Sequence, residues 1–424
     1  MIKITDPINC CGCSACATRC PKRCISMVED KKGFLYPKVD EDTCVDCGLC
    51  EKVCPMLNRP EAATPIREYA AQHTDEKTRR TSSSGGVFSS MASDVLADGG
   101  IVYGAAFDDD WSVFHIGIET REKLYLLQGS KYVQSRIDGC YAQAEKNLKV
   151  GRKVLFSGTP CQIAGLKGYL RKDYENLFTV DVICHGTPSP AVWKEYLKSI
   201  AHSKSVPGKN TVLLSLKDSP LCGVSFREKR TGWQKYGFAA YMSERSEDKN
   251  SVLPPKGKLI HYSTVLANTY LRGFLSDLYL RPSCHSCPFR CYHSGSDVTL
   301  ADFWGVSRAV PQMNDDKGTS LVIDKTGRIK LDAGLRLVEL NGDQYKIAIK
   351  GNPSLVEDTP VNPKSEPFWQ EFLATPANVT AIIEKYSPLS QQSRRRNVID
   401  NLLLKLHLYR PVQKLVRHIK YGKQ

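Results

Sequence analysis

No stretch of this sequence approaches the roughly 18 to 20 consecutive apolar residues that a helix needs to span a bilayer, so no helical membrane span is expected. The opening Met1-Ile2-Lys3-Ile4-Thr5-Asp6 lacks the basic-then-apolar layout of a secretion signal. Both absences point to a cytoplasmic protein. The body also lacks a basic stripe interleaved with aromatics, which sets aside nucleic acid as a partner despite a net charge of +14. A nucleic-acid-binding protein with structural clusters is the most remote reading. Much of that charge sits in one place: nine Lys and Arg residues lie between Arg394 and Gln424, against a single acid, Asp400. Internal repeats are missing too, with one exception.

The exception is made of cysteine. Cys10, Cys13, Cys16, Cys20-Pro21 and Cys44, Cys47, Cys50, Cys54-Pro55 are two copies of one pattern. Cys-x2-Cys-x2-Cys-x3-Cys-Pro places three thiolates on a tight loop around a cube of iron and sulfide, while the fourth reaches across to the other cluster. Two 4Fe-4S clusters follow, one on Cys10, Cys13, Cys16 and Cys54, the other on Cys44, Cys47, Cys50 and Cys20. Zinc is the rival for Cys-x2-Cys hooks, but three closely spaced thiols followed by Cys-Pro fit tetrahedral zinc poorly. Cys11 and Cys24 fall outside the pattern and read as unligated cysteines packed near the clusters, with Cys24 an alternative ligand if its loop shifts. Seventeen cysteines without an export signal argue for metal ligation in a reducing compartment and against a disulfide scaffold.

With 424 residues and 41% hydrophobic content, the chain has a core well beyond a small ferredoxin-like module. The expected fold is an N-terminal dicluster module (1–58), then a mixed α/β body in two parts (67–203 and 204–386), then a basic tail (390–424). Residues 58–66, with Pro60 and Pro65, read as a linker. In the body, strands at 68–72, 101–107 and 113–118 and a helix at 86–97 give way to a helix at 137–148. A βαβ unit follows: strand 153–156, helix 162–170, strand 177–183. Residues 204–258 read as a β-rich insertion with short strands around 212–216, 224–228 and 238–242. A helix at 263–280 and a strand at 298–301 come after it.

Cys284, Cys287 and Cys291 form a second hook, Cys-x2-Cys-x3-Cys, able to supply three ligands of a third 4Fe-4S cluster. Cys161 and Cys184 both end strands of the βαβ unit, whose adjacent turns meet at one sheet edge, so either could be the fourth. The alternatives are a structural zinc site or unligated thiols. Cys161 at a helix N-terminus could instead be a redox or nucleophilic cysteine. Cys140 and Cys222 read as packing residues. Ser82-Ser83-Ser84-Gly85-Gly86 before a helix suits an anion such as a dinucleotide pyrophosphate, though a plain serine cap would use the same residues. Gln128-Gly129-Ser130-Lys131-Tyr132-Val133 offers a cation and an aromatic. His185 is the candidate proton donor.

These motifs, taken together with Gly158-Thr159-Pro160-Cys161 and the run Asp297-Val298-Thr299-Leu300-Ala301-Asp302-Phe303-Trp304-Gly305, resemble those of the β subunits of deazaflavin-coenzyme-dependent hydrogenases and dehydrogenases. The resemblance covers about residues 67–386. It implies an FAD and iron-sulfur oxidoreductase, with FAD against Ser83, Ser84, Gly85 and Gly86, against Ser130, Lys131 and Tyr132, and beside Gly158 and Thr159. A relative of that family reduces a hydroxymethyl group in the plant chlorophyll cycle. The Asp302-Phe303-Trp304-Gly305 version resembles the bacterial branch, associated with surface-polysaccharide genes, and points away from a deazaflavin substrate.

Electrons are expected to run from a carrier such as a ferredoxin, through the clusters, to FAD and an organic substrate. The rival is a non-catalytic electron-transfer subunit of a larger complex. In the tail, Val412, Leu415, Val416 and Ile419 follow helical spacing with Lys and Arg beside them. Such a helix suits peripheral contact with an anionic membrane, or packs back on the body.

Overall fold

The computed structural model describes residues 1–203, 216–243, 257–328, 330, 334–406, 408–409 and 411–412. Most of the expected strand around 212–216 and the amphipathic segment beyond Val412 lie outside those residues; Leu216, the last residue of that strand, opens a 3-10 turn, Leu216–Asp218.

The N-terminal module is a hairpin, β1 (Ile25–Glu29) and β2 (Leu35–Val39), with two short helices, Ala15–Arg19 and Leu49–Lys52. The sequence duplication repeats in the backbone. Gly12 and Asp46, each just before the second cysteine of its run, have φ of 70° and 46°; Ser14 and Gly48, just after, have 63° and 66°. These left-handed residues curl each loop so that its backbone wraps a common centre, the conformation that glycine adopts without steric cost.

The body is built on one nine-stranded mixed sheet. Its strands are β3 (Arg67–His73), β4 (Ile101–Phe107), β5 (Val113–Ile118), β6 (Ser135–Arg136), β7 (Val154–Gly158), β8 (Leu177–Val182), β12 (Val298–Asp302), β13 (Ser320–Asp324) and β14 (Leu335–Glu339), in the order β14-β3-β13-β12-β8-β7-β4-β5-β6. The middle strands, β12, β8, β7 and β4, run parallel, and antiparallel neighbours flank them. Parallel strands need cover on both faces. Alternation within β4 supplies both: Ile101 and Tyr103 pack with Tyr141, Ile163 and Leu166 from the helices Cys140–Lys149 and Pro160–Leu170. Val102 and Ala106 pack on the opposite face with Val87, Met91 and Leu96 of the helix Val87–Ala97.

Because β12, β13 and β14 complete the sheet begun by β3 to β8, the parts of the body on either side of residue 204 share a core. The insertion is a separate three-stranded antiparallel sheet of β9 (Leu221–Glu228), β10 (Gly237–Met242) and β11 (Lys258–Thr264). Its Phe226 and Phe238 pack on Trp193 and Tyr270. One expected element differs. Where the sequence pattern predicts a helix over 263–280, β11 runs to Thr264 and the helix covers only Thr269–Leu275. Asn268 decides this start, its side chain accepting from the Leu271 N–H at 2.9 Å.

The ferredoxin-like module is seated on the body. Arg281, 1% exposed, donates through Nε to the Cys10 carbonyl (2.7 Å), through Nη1 to Gln134 Oε1 (2.9 Å) and through Nη2 to the Leu35 carbonyl (2.9 Å). Among the described residues no helix is long and apolar enough to cross a membrane.

Candidate redox site

The turn after β7 sets up the first component. Thr159 caps the helix Pro160–Leu170, its N–H donating to Gln162 Oε1 at 2.9 Å, and Pro160 takes the first helical position. Cys161 therefore sits on the first turn, at the carboxyl end of β7. Cys184 follows β8, the parallel neighbour of β7, so both thiols reach the same sheet edge. Cys284 comes from the 3-10 turn Pro282–Ser286, and its Sγ accepts from the Thr187 N–H at 3.3 Å. Together with Cys287, these thiols line one cavity walled by Ile183, Phe289 and Leu355.

Cys291 is not among them. The spacing makes it the third member of the hook, but it is exposed, with φ of 51° followed by 68° at Tyr292. These two left-handed residues turn the chain away, and the Cys291 N–H is tied to the Leu355 carbonyl at 2.8 Å. The thiols gathered here are thus both candidates from the βαβ unit plus two from the hook.

Two similar cavities lie in the N-terminal module. Cys10, Cys13, Cys16 and Cys54 line one, with Cys11 beside them; Cys20, Cys44, Cys47 and Cys50 line the other, with Cys24 beside them. These are the sets that the crossing rule gives. Among the described residues no group of three or more His, Cys, Asp or Glu side chains is placed to hold a single metal ion. Burial pushes the Cys16 and Cys287 thiols up to about 12, and loading metal there must displace protons.

A larger cavity, about 550 Å³, opens next to the third thiol group and shares Cys161 and Cys184 with it. Ser83, Ser84, Gly86, Ser130, Lys131, Tyr132, Gly158, Thr159 and His185 line it. Gly85 lies beneath, its N–H on Ser320 Oγ at 2.9 Å; a Cβ there would come within 2.3 Å of the Ala71 carbonyl. Ser83 Oγ accepts from the Ser130 N–H at 2.7 Å, tying the two loops together. Gly86, at φ 93°, opens the helix Val87–Ala97, whose first N–H groups have no partner within the helix and whose first turn lines the cavity. A cavity of this size with a helix N-terminus at one end suits a dinucleotide cofactor.

Lys131 lines the space, but its ammonium donates to the carbonyls of Leu126, Gln128 and Gly129 and so shapes its own loop. Burial pushes its pKa down to about 7. His185 Nε2 lies 2.7 Å from Asp277 Oδ1, with the ring edge-on to Phe274. Tyr132 packs against Phe226 and Phe274.

Several lining residues carried no sequence signal. His115 Nε2 lies 3.0 Å from the Ser157 carbonyl, so it holds the proton, and Nδ1 accepts from Ser135 Oγ at 2.7 Å. Arg227, from β9, pairs with Asp302 Oδ2 at 2.7 Å and stacks 3.7 Å from the Tyr236 ring centroid. Lys229, the residue after that strand and behind the cavity wall, donates to the carbonyls of Arg79, Ser84 and Lys317, each at 2.9 Å, and fixes the serine loop from below. The insertion thus supplies a wall of the cavity. Single polar residues on alternating strands look the same whether they face solvent or a site, so only contacts reveal them.

Two family models, described as the N-terminal and C-terminal parts of the coenzyme F420 hydrogenase/dehydrogenase beta subunit, match residues 68–139 and 151–331 respectively. Residues 9–57 match a 4Fe-4S dicluster domain. A coenzyme F420-dependent sulfite reductase of Methanocaldococcus jannaschii is 28% identical over 200 residues, covering 46% of this chain and 30% of the relative. A 7Fe ferredoxin of Hydrogenibacillus schlegelii is 42% identical over 53 residues, 12% of this chain and 62% of the ferredoxin. The chain thus spans less than two thirds of either relative's length. A chain of the F420-reducing NiFe hydrogenase complex from Methanosarcina barkeri aligns over 79% of this chain and 93% of its own, at 16% identity and a TM-score of 0.38. With both halves of one family in order behind a dicluster ferredoxin domain, the chain belongs to the coenzyme F420 hydrogenase/dehydrogenase beta subunit family, and it is an iron-sulfur protein related to oxidoreductases.

Proposed function

We propose that the chain is an iron-sulfur flavoprotein oxidoreductase. In this reading two N-terminal 4Fe-4S clusters, a third on Cys161, Cys184, Cys284 and Cys287, and FAD in the central cavity join a ferredoxin-like carrier to an organic substrate. One observation carries it: Cys161 and Cys184 line both the third thiol cavity and the large one, so cluster and cofactor share a wall. FAD exchanges electrons singly with clusters and in pairs with organic molecules. Ser83, Ser84, Gly86 and the first turn of the helix Val87–Ala97 would hold its pyrophosphate; Ser130, Tyr132, Gly158 and Thr159 would line its remainder.

His185, with Asp277 holding Nε2, is the group we assign to proton delivery in the cavity. The dicluster domain gives the carrier its docking end, where Cys47 is exposed. Our substrate candidates are hydroxylated sugars of surface-polysaccharide assembly, on the strength of the bacterial-branch resemblance. Membrane contact through the tail is a further proposal, supported by exposed Val398, Ile399 and Leu402 beside exposed Arg394, Arg395 and Arg396.

A non-catalytic electron-transfer subunit is the second reading, favoured by the family's name as a β subunit. Iron, acid-labile sulfide and flavin content of anaerobically reconstituted protein tests the first. About twelve irons with one FAD is the expected result. About eight irons and no flavin would overturn it. Flavin that takes up electrons from a reduced ferredoxin yet turns over no small substrate would favour the second.

A further inference from the structure

Two charged side chains line the third thiol cavity: Asp181 of β8, and Arg290, three residues after Cys287. Asp181 is 2% exposed and the Arg290 side chain 8%. Charges placed so deeply need partners. Asp181 Oδ1 accepts from Thr299 Oγ1 at 2.6 Å, Thr299 Oγ1 accepts from Lys325 Nζ at 2.9 Å, and that buried ammonium lies 3.8 Å from Asp181 Oδ1. The carboxylate charge is thereby matched from within the protein.

Arg290 is matched less closely. Its Nη1 donates to the Ser354 carbonyl and its Nη2 to Thr359 Oγ1 at 2.8 Å, both uncharged acceptors. The carboxylate it meets is Asp358, 3.3 Å from Nε, whose exposed side chain lies outside the cavity wall and is screened by water. One positive charge is left over at this wall. The other two thiol cavities differ. Among the described residues no Lys, Arg, Asp or Glu lines the one around Cys10, Cys13, Cys16 and Cys54, and at the second Lys22 and Asp46 are both exposed. Arg281 bonds the Cys10 carbonyl and stands three residues before Cys284, so its charge bears on the first and third sites together and does not set them apart.

A cluster gains one negative charge when it is reduced. A fixed positive charge in a poorly solvated wall favours that form and raises the potential, and a fixed negative charge lowers it. We propose that Arg290, with the charge of Asp181 matched by Lys325, sets the third cluster at a higher potential than the first ferredoxin cluster, so that electrons run downhill toward the central cavity. This rests on the third-cluster reading above. One electron leaves the first cluster, which is oxidised by one, and reduces the third by one; it is replaced from a ferredoxin-class carrier through the second cluster. Arg290, Asp181 and Lys325 ligate no iron and exchange no proton in this step. They act through their charge alone.

The test is a redox titration followed by electron paramagnetic resonance on the full, loaded chain. In wild type the third midpoint should lie above the first. Arg290→Met should lower the third midpoint by about 59 mV, a tenfold change in a one-electron equilibrium, while the other two stay put and the iron count holds. Arg290→Lys, which keeps the charge, should restore most of that shift. Asp181→Asn, which keeps an acceptor oxygen for Thr299 and nearly the same shape, should move the same midpoint upward. Opposite signs from the two sites are what a purely structural role would not give. A third midpoint that lies below the first in wild type, that does not fall in Arg290→Met or that does not rise in Asp181→Asn would overturn the proposal, as would loss of iron from Arg290→Met. A wild-type count of about eight irons would instead overturn the third-cluster reading itself, so the two failures are told apart.

Discussion

Arg281 ties the Cys10 loop to the body three residues before Cys284, which makes Arg281→Met the perturbation most informative about how the dicluster module is held. Its guanidinium is buried, gives three hydrogen bonds and lies 4.3 Å from the Tyr36 ring centroid. A hydrogen bond to a charged donor contributes about 1.5–3 kcal/mol, and each acceptor stranded without a partner costs about 1–3 kcal/mol. Release of the buried charge offsets several kcal/mol of that. Set against the three lost bonds, that offset leaves a net loss of about 3–4 kcal/mol. At about 1.4 kcal/mol per tenfold, the module should open about two to three orders of magnitude more often. Hydrogen exchange read by mass spectrometry should then show lost protection in peptides covering 8–20 and 33–39, with β4 unchanged. Arg281→Lys, which keeps the charge but not the fork, should fall between. If exchange of both segments in Arg281→Met stays within about threefold of wild type, the docking argument is wrong.

Two further outcomes follow from the sites. Burial lowers the His115 pKa from 6.5 to about 4, so the unfolded chain binds a proton that the folded chain refuses between those values. Stability is full above pH 6.5 and falls as pH drops toward 4, by up to about 1.4 kcal/mol per unit. In thermal melts the gap between wild type and His115→Asn should therefore narrow from pH 7 to pH 5; an unchanged gap would refute the assignment. Cys161→Ser and Cys184→Ser should each remove about four irons from reconstituted protein, while Cys291→Ser should remove none; iron lost from the last alone would return Cys291 to the ligand set.

Much of this molecule is legible locally. The cysteines of the dicluster domain lie on two contiguous loops whose spacing points to 4Fe-4S clusters, and β4 and β5 fall where alternation and apolar runs put them. Ser84-Gly85-Gly86 signals a loop opening a helix because capping is a property of neighbouring residues. The third thiol group is different. Its sequence hook offers Cys284, Cys287 and Cys291 on equal terms, and Cys161 and Cys184 as alternatives to one another. Only the parallel pairing of β7 with β8 brings both of the latter to one edge, and only a pair of left-handed residues turns Cys291 out.

His115, Arg227 and Arg281 are invisible in the sequence for a related reason: each is a single polar residue whose partners lie tens to hundreds of positions away. Sequence by itself determined the two-cluster module, the α/β alternation and the kind of chemistry. Tertiary structure decided which cysteines meet and which loops wall the cavity, because those depend on strand order and on contacts between residues far apart in the chain.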